Sequence, residues 1–413
     1  MRFLILVGDG MADFPCPELD GRTPLDVAAT PAMDSAVSQG LTGLFSPIPD
    51  GLPPGSDIGN LSLFGYDPRA TFTGRAPLEA ASRGIRLVPG EVAFRCNLVT
   101  LADGVMRSFT SGHITSEEGA RLIEALGEAF AGGPARFHAG VSYRHLTIIT
   151  PGDVTAEDLV ATQCTPPHDI SDRAYEPHLP SGPAGAFLGA LMEGSREVLA
   201  GHAVNEARID AGDLPATSIW LWGQGSAPKM ETYGNRFNLT GAVISAVDLV
   251  KGIGVCAGLD AVDVPGATGY LDTNYQGKVD AAFDALAGKD FVYLHVEAPD
   301  ETAHEGRPDL KIRAIEDFDR RVVAPCLERA AALGDVRVLI APDHVTSLAT
   351  KTHAGGPVPF ALCGPGIAAD EATAYSESAA AATGLHVACG HCLVPAMITQ
   401  PRLDAARLIS APG

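Results

Sequence analysis

Three stretches of this chain share one design, an apolar strand-like run that ends in an acidic residue. Phe3-Leu4-Ile5-Leu6-Val7 runs into Gly8-Asp9-Gly10. Phe291-Val292-Tyr293-Leu294-His295-Val296 runs toward Asp300, with His304 four residues on. Val338-Leu339-Ile340-Ala341 leads to Asp343-His344, and His353 follows. Ligands gather at the carboxyl ends of strands in open parallel sheets, so these three Asp and three His are expected to meet at one edge of one sheet. Together they supply enough hard oxygen and borderline nitrogen for two divalent metals, with manganese or zinc suiting the mixed set better than magnesium alone. Asp300-x-x-x-His304 places two ligand types on one helical face. Any one of these residues alone reads as a helix cap or a satisfied polar side chain; six beside strand ends do not.

A nucleophile candidate lies in Pro53-Pro54-Gly55-Ser56-Asp57-Ile58-Gly59-Asn60-Leu61-Ser62. The glycine is read as permitting a tight turn that presents Ser56 at a helix start, where an anion is favoured. Ser56 as a simple helix cap explains the same pattern. A serine hydroxyl needs a base or a metal to become a nucleophile, and no His is near it in sequence.

The elements that must position these residues form an α/β pattern with a mainly parallel sheet. Pro308 to Val323 is the clearest helix and links two of the strands, while Lys278 to Leu286 reads as a helix leading into the Phe291 strand. Val243–Val247 and Pro359–Leu362 read as further strands. From residue 88 to 175 the runs shorten and mix with polar residues, giving an inserted α+β domain between a first core segment, 1–87, and a second, 176–413. Within it Phe94–Val99 and Val141–Ile149 read as strands, and Thr115 or Ser116 as the cap of the next helix. The 413-residue length favours two domains, and 46% hydrophobic with 19% charged residues marks a well-buried protein. A formal net charge of −21 argues against nucleic acid or an anionic membrane surface as partner. The N-terminal apolar run is short and interrupted by Asp9, so it reads as a buried strand of a cytoplasmic protein. Eight scattered Cys fit a reducing compartment, and Cys389-Gly390-His391-Cys392, formally a C-x-x-C, is read as ordinary buried thiols.

Asp9 in Gly-Asp-Gly, the Ser56 loop running on to Gly65-Tyr66-Asp67-Pro68, Thr73-Gly74-Arg75-Ala76-Pro77, Gly266-Ala267-Thr268-Gly269, Asp300-x-x-x-His304, Asp343-His344 and His353 together resemble the alkaline-phosphatase superfamily. Within it the resemblance is to the cofactor-independent phosphoglycerate mutases of archaeal type. It implies an alkaline-phosphatase-like core with an inserted substrate-binding lid. It also implies that Asp9, Ser56, Asp343 and His344 hold one metal, that Asp300, His304 and His353 hold the other, and that Ser56 becomes phosphoserine. Where the family usually shows Ser-Thr-Pro after the Asp-His pair, this chain has Val345-Thr346-Ser347.

The implied reaction is intramolecular phosphotransfer on a small phosphorylated substrate, without organic cofactor or nucleotide. Arginine forks match phosphate oxygens, so Arg75, Arg95 and Arg144, with His145 and His168 as polar partners, are the expected substrate contacts. Ser218-Ile219-Trp220-Leu221-Trp222-Gly223-Gln224-Gly225 and Thr165-Pro166-Pro167-His168-Asp169 are similar to a bacterial subgroup proposed to act as homoserine kinase. That phosphotransferase, or a metal-dependent phosphatase, is the alternative on the same residues.

Overall fold

The structure, a computed structural model, describes residues 1–409; the last four residues of the expected second core segment lie outside them. The chain divides into two compact units, one of residues 1–72 with Lys229 onward, the other Thr73–Pro228.

The first unit is built on an eight-stranded sheet in the order His386–Val387, Gly40–Phe45, Val358–Cys363, Val336–Ala341, Arg2–Gly8, Phe291–Val296, Gly241–Ile244, Asp260–Val262. Leu4 to Val7 are fully buried on both faces, as a central strand between helical layers must be. Five neighbouring strands, from Val336–Ala341 to Asp260–Val262, pair in parallel, and Val358–Cys363 runs antiparallel to both of its neighbours. The expected mainly parallel α/β class is the one found. Register does the positioning. Val7 lies opposite both His295 and Ala341, so the three central strands end level. The next residues of each chain therefore emerge side by side along one edge.

Two expected elements shift. Pro308–Phe318 is a helix, but Asp319–Val323 widens into a π turn before the helix Ala324–Leu333. Pro325 lacks the N–H that would continue the regular ladder, and Ala324 N–H reaches back to Asp319 O instead. The strand expected at Val243–Val247 is Gly241–Ile244, because the Ser245 hydroxyl accepts from Val247 N–H (2.9 Å) and turns the chain.

The second unit is a five-stranded antiparallel sheet with Val92–Ala102 at its centre. Arg144–Ile149 pairs on one side and Ser218–Ser226 on the other. Helices Ser116–Ala129 and Gly185–Ala200 bury Leu122, Leu126, Leu188 and Met192 in the same core as Trp220. Thr115 caps the first helix in a reciprocal pair with Glu118. This unit is wider than the expected insert of 88–175. Ser218–Ser226 supplies a strand, Gly185–Ala200 covers it, and the Thr73 hydroxyl donates to Ser226 O (2.6 Å), so residues 73–87 and 176–228 belong to the same body. The strand expected from Val141 starts at Arg144.

Lys311 ties three segments of the first unit together. It is fully buried, and its Nζ donates to Ala12 O (3.1 Å), Asp13 Oδ2 (2.9 Å) and Thr346 O (2.6 Å). Lys311→Met should cost about 3–5 kcal/mol of unfolding free energy, because Asp13 is left as a buried unpaired charge. Denaturant melts read this directly, and an unchanged midpoint would refute the assignment.

Candidate metal centre

Asp9 follows the Arg2–Gly8 strand immediately, and Gly10 then turns the chain away with a positive φ of 55°. A Cβ at Gly10 would lie 2.3 Å from Thr346 Oγ1 and 2.4 Å from Asp300 Oδ1, so only glycine fits, and its N–H donates to Asp343 Oδ1 (3.1 Å). The Gly-Asp-Gly spacing thus seats one carboxylate and clears room for two more.

His344 is the meeting point of the first cluster. Its Nε2 lies 3.1 Å from Ser56 Oγ, 3.3 Å from Asp9 Oδ1 and 3.4 Å from Asp343 Oδ2. Its Nδ1 is 3.1 Å from Thr346 Oγ1, and that hydroxyl also donates to Asp300 Oδ1. Ser56 is the first residue of the helix Ser56–Leu63, and no side chain caps it. The glycine reading needs correction. Gly55 is simply extended (φ 169°), so no tight turn depends on it. The demanding glycine is Gly59, where a Cβ would stand 2.1 Å from Asp343 O; its absence lets the helix press against the Asp343 loop.

The second cluster is Asp300, His304 and His353. The helix Ala298–His304 sets Asp300 Oδ2 3.2 Å from His304 Nε2. His353, on the strand Thr352–Ala354 beside Val345–Ser347, brings its Nε2 3.5 Å from Asp300 Oδ1 and 3.1 Å from His304 Nε2. His304 Nδ1 faces Lys351 O at 2.9 Å, which directs the other ring nitrogen into the cluster. All seven expected ligand-type residues therefore converge in the first unit.

The electrostatics are unfavourable without a cation. Burial, then the charges of Asp343, Asp300 and Glu297, push the Asp9 carboxyl well above its ordinary value. Burial and the neighbouring Glu301 and Asp300 raise Glu297 from 4.5 to about 8. Burial would raise Asp300 too, but hydrogen bonds from His304 and His353 outweigh it and hold Asp300 well below. His304 rises correspondingly from 6.5 to about 9, chiefly through that bond to Asp300. Asp9 Oδ2 is taken by His295 Nε2 at 2.8 Å, whereas Asp9 Oδ1 is buried with no hydrogen-bond partner. An orphaned carboxylate oxygen amid imidazole nitrogens and two further carboxylates fits divalent cations, and Asp300, His304 and His353 are mutually close enough to share one.

In the second unit, Arg95 stacks 4.1 Å over the Trp222 ring and its Nε donates to Glu79 Oε2 (3.1 Å). Burial, offset by Glu79 but reinforced by Arg75 and Arg144, lowers the Arg95 pKa. His168 stands edge-on to Trp222 at 5.3 Å and is held below its ordinary value by burial, with Arg95 and Arg75 adding to the effect. Arg95 and His168 both pack on Trp222, and Arg75 and Arg144 lie close enough to act on the Arg95 charge. His145 does not join them. It is 2% exposed, its Nδ1 accepts from Gly140 N–H (2.9 Å), and its ring packs against Gly119, so it is a core residue and not a substrate contact. Every residue of its strand from His145 to Ile149 is buried, so both faces of the strand are covered at His145. Cys389 and Cys392, expected as separate thiols, are joined as a disulfide, since the Gly390–Cys392 turn brings their Cα atoms to 5.4 Å.

A family model described as 2,3-bisphosphoglycerate-independent phosphoglycerate mutase matches residues 37–205. The protein of that name from Methanosarcina acetivorans is 51% identical over 88% of this chain and 90% of its own. The one from Methanothrix thermoacetophila is 50% identical over 96% of this chain and all of its own. The chain belongs to the 2,3-bisphosphoglycerate-independent phosphoglycerate mutase family. The solved cofactor-independent phosphoglycerate mutase of Thermoplasma acidophilum superposes with a TM-score of 0.64, at 25% identity, over 94% of this chain and 97% of that one.

Sequence reasoning on this mutase-family chain missed the residues that hold the cluster in place. His295 pairs with Asp9 through Nε2 and faces the Ser245 hydroxyl through Nδ1 (3.1 Å); burial, then Lys278, pushes it down to about 3, so it is neutral. A histidine inside a fully buried apolar strand was the available signal. Asn60 donates to Asp343 Oδ2 (2.6 Å) and Ser56 O (2.8 Å), and accepts from Tyr293 OH (2.6 Å). It lies one helical turn after Ser56. At the departure from Ser-Thr-Pro, Thr346 keeps the hydroxyl that binds Asp300 and His344, while Val345 and Ser347 serve the short strand.

These shifts predict a sign. Metal-free protein carries Glu297, raised from 4.5 to about 8, and His304, raised from 6.5 to about 9. Each binds its proton more tightly folded than unfolded, so stability is full below the unfolded values and falls as pH rises through about 8 and 9. Melting scans in chelator should show that decline, and saturating manganese should raise the melting temperature and remove it. A flat pH profile in chelator would contradict the electrostatic picture.

Proposed function

We propose that this chain is an isomerase that interconverts 3- and 2-phosphoglycerate through a phosphoserine at Ser56. The observation that carries the reading is Ser56 Oγ, 3.1 Å from His344 Nε2 and set at a helix start beside Asp9 and Asp343. Asp9, Ser56, Asp343 and His344 would hold one divalent ion, and Asp300, His304 and His353 the other, with manganese or zinc the ions of choice. Such ions supply charge neutralisation for the phosphoryl oxygens and a lowered pKa at the bound hydroxyl.

The chain's own residues do the rest. Ser56 Oγ attacks the phosphorus, forming the Ser56–phosphate bond as the bond to the glycerate oxygen breaks. The retained glycerate turns and takes the phosphoryl group back on its other hydroxyl, freeing Ser56. His344 is fixed by Thr346, and Asp343 by Asn60 and Gly10, so the groups around Ser56 need no rearrangement between the two half-reactions. Arg75, Arg95, Arg144 and His168 are proposed to anchor the substrate's anionic groups, giving the second unit its role as substrate-binding lid. Arg95 is already oriented by Glu79 and Trp222. A cytoplasmic setting belongs to the same proposal. Among the described residues no helix is long and apolar enough to cross a membrane, and six cysteines are free thiols.

Purified protein with manganese should interconvert the two phosphoglycerates without ATP. ATP-dependent phosphorylation of homoserine with no mutase activity would replace this reading by the kinase one. Ser56→Ala should abolish turnover and keep the fold, since no cap depends on its side chain. Rapid-quench mass spectrometry should trap phosphate on Ser56, and near-native turnover of the alanine variant would end the covalent mechanism. Arg95→Ala and Arg144→Ala should raise KM without changing metal content; loss of metal in either would refute their assignment as substrate contacts.

A further inference from the structure

Among the described residues, one more set of reactive side chains is gathered outside the candidate metal centre, Cys389, His391 and Cys392. Stapling does not account for the disulfide between the two cysteines. They are three residues apart, and so short a loop restrains the unfolded chain little. It is an isolated bridge, with Cys16, Cys96, Cys164, Cys256, Cys326 and Cys363 all free. In the reducing cytoplasmic setting proposed above, a disulfide is usually transient and catalytic or redox-sensing.

The two sulfurs are not equivalent. Cys389 is half-buried, whereas Cys392 is 4% exposed. His391 sits beside the reachable one, its Nε2 3.4 Å and its Nδ1 3.8 Å from Cys389 Sγ. Burial, only partly countered by Asp67, holds His391 below its ordinary value, so its ring is neutral and can accept a thiol proton. One accessible sulfur with an adjacent base and one sheltered sulfur is the asymmetry that exchange requires.

The turn also presses on the segment that carries Ser56. A Cβ at Gly390 would lie 2.1 Å from Ser46 O. The next residue, Pro47, accepts through its carbonyl from Ser62 Oγ (2.5 Å) on the Ser56–Leu63 helix. A Cβ at Gly65, just past that helix, would lie 2.9 Å from Pro395 Cδ and 3.7 Å from His391 O. The turn is wedged against the far end of the helix that begins at Ser56.

We propose that Cys389 and Cys392 form a thiol–disulfide exchange site for a protein dithiol, and that its redox state sets the packing of the Ser56 helix. A thiolate of the reductant attacks Cys389 Sγ. The Cys389–Cys392 bond breaks, and its electron pair leaves on Cys392, which takes a proton. The reductant's second thiolate then attacks its own sulfur in the mixed disulfide and expels the Cys389 thiolate, beside His391. The reductant departs as a disulfide, the Cys389 thiolate takes up a proton from solvent, and the pair has then gained two electrons and two protons. Reoxidation by a disulfide runs the same steps backwards. The exchange chemistry stands independently of the proposed mutase activity; its effect on turnover rests on Ser56 being the nucleophile.

The test uses the full, folded chain. It is incubated with a small protein bearing a reduced C-x-x-C, pulse-alkylated and mapped by mass spectrometry, and its mutase turnover is followed in parallel. Cys389 should pass from unlabelled to labelled in the folded chain while buried Cys16, Cys96, Cys326 and Cys363 stay unlabelled, and Cys392, itself 4% exposed, should become labelled by a second alkylation after denaturation only where the dithiol was added. Turnover should change reversibly by about fivefold or more, the lower end of ordinary coupling. Cys389→Ser, alone and with Cys392→Ser, should turn over at the rate of the reduced protein and show no response to the dithiol. A pair that stays unlabelled, or one equivalent of zinc held by these three residues in the purified protein, overturns the exchange site. Labelling of an active enzyme with no change in turnover overturns the coupling to Ser56. An enzyme inactive in both states but labelled at the pair counts against the mutase reading instead.

Discussion

The constraint on which this structure turns is the mutual repulsion of carboxylates held at the end of a buried sheet. Asp9, Asp300 and Asp343 are each at most 5% exposed, and Glu297 presses on the same region. Isolated buried charges of one sign cost several kcal/mol each unless paired. The chain partly answers this with histidines. His295 occupies one oxygen of Asp9, and His304 and His353 surround Asp300. What it leaves open, Asp9 Oδ1 above all, defines where cations belong. Folding energy is thereby spent to hold apart groups that bind metal tightly, an arrangement in which metal affinity and stability are linked.

Strand register makes the repulsion local. Because Val7, His295 and Ala341 lie level, the residues beyond them have no choice but to meet. That is why this part of the centre was legible in the sequence. A parallel sheet converts "acidic residue after an apolar run" into "same edge", whatever the separation along the chain. Ser56 and His353 arrive by different routes, one on a helix start and one on a short hairpin, and only the resemblance of whole motifs tied them to the edge beforehand.

What was not legible depended on contacts between residues far apart in sequence. Asn60 reads as one polar residue in a helix; its role comes from Asp343 and Tyr293 arriving on either side. Ser218–Gly225 stood out in the sequence only as a motif shared with a subgroup, and it is the pairing of Ser218–Ser226 with Val92–Ala102 that extends the second unit to residue 228. His145 and Arg144 are adjacent and both polar. Arg144 is exposed as the first residue of its strand, whereas from His145 onward both faces are covered, and the Val141–Ile149 pattern alone did not show where that cover begins.

The buried lysines show how the centre keeps its carboxylates free. A lysine beside Asp9, Asp300 or Asp343 would neutralise them permanently and leave no exchangeable charge to offer a phosphoryl group. Two lysines are buried within reach of this region, and neither is spent that way. Lys278 donates to His295 O (3.0 Å), steadying the histidine that orients Asp9. Lys311 donates to Ala12 O, Thr346 O and Asp13, steadying the loop whose threonine orients His344 and Asp300. The fixed cations thus hold the backbone that carries the ligand-type side chains, one shell removed from the carboxylates themselves. In a chain of net charge −21, that restraint leaves positive charge at the edge to be supplied by exchangeable ions, which a negatively charged substrate requires and an all-protein salt bridge would have denied it.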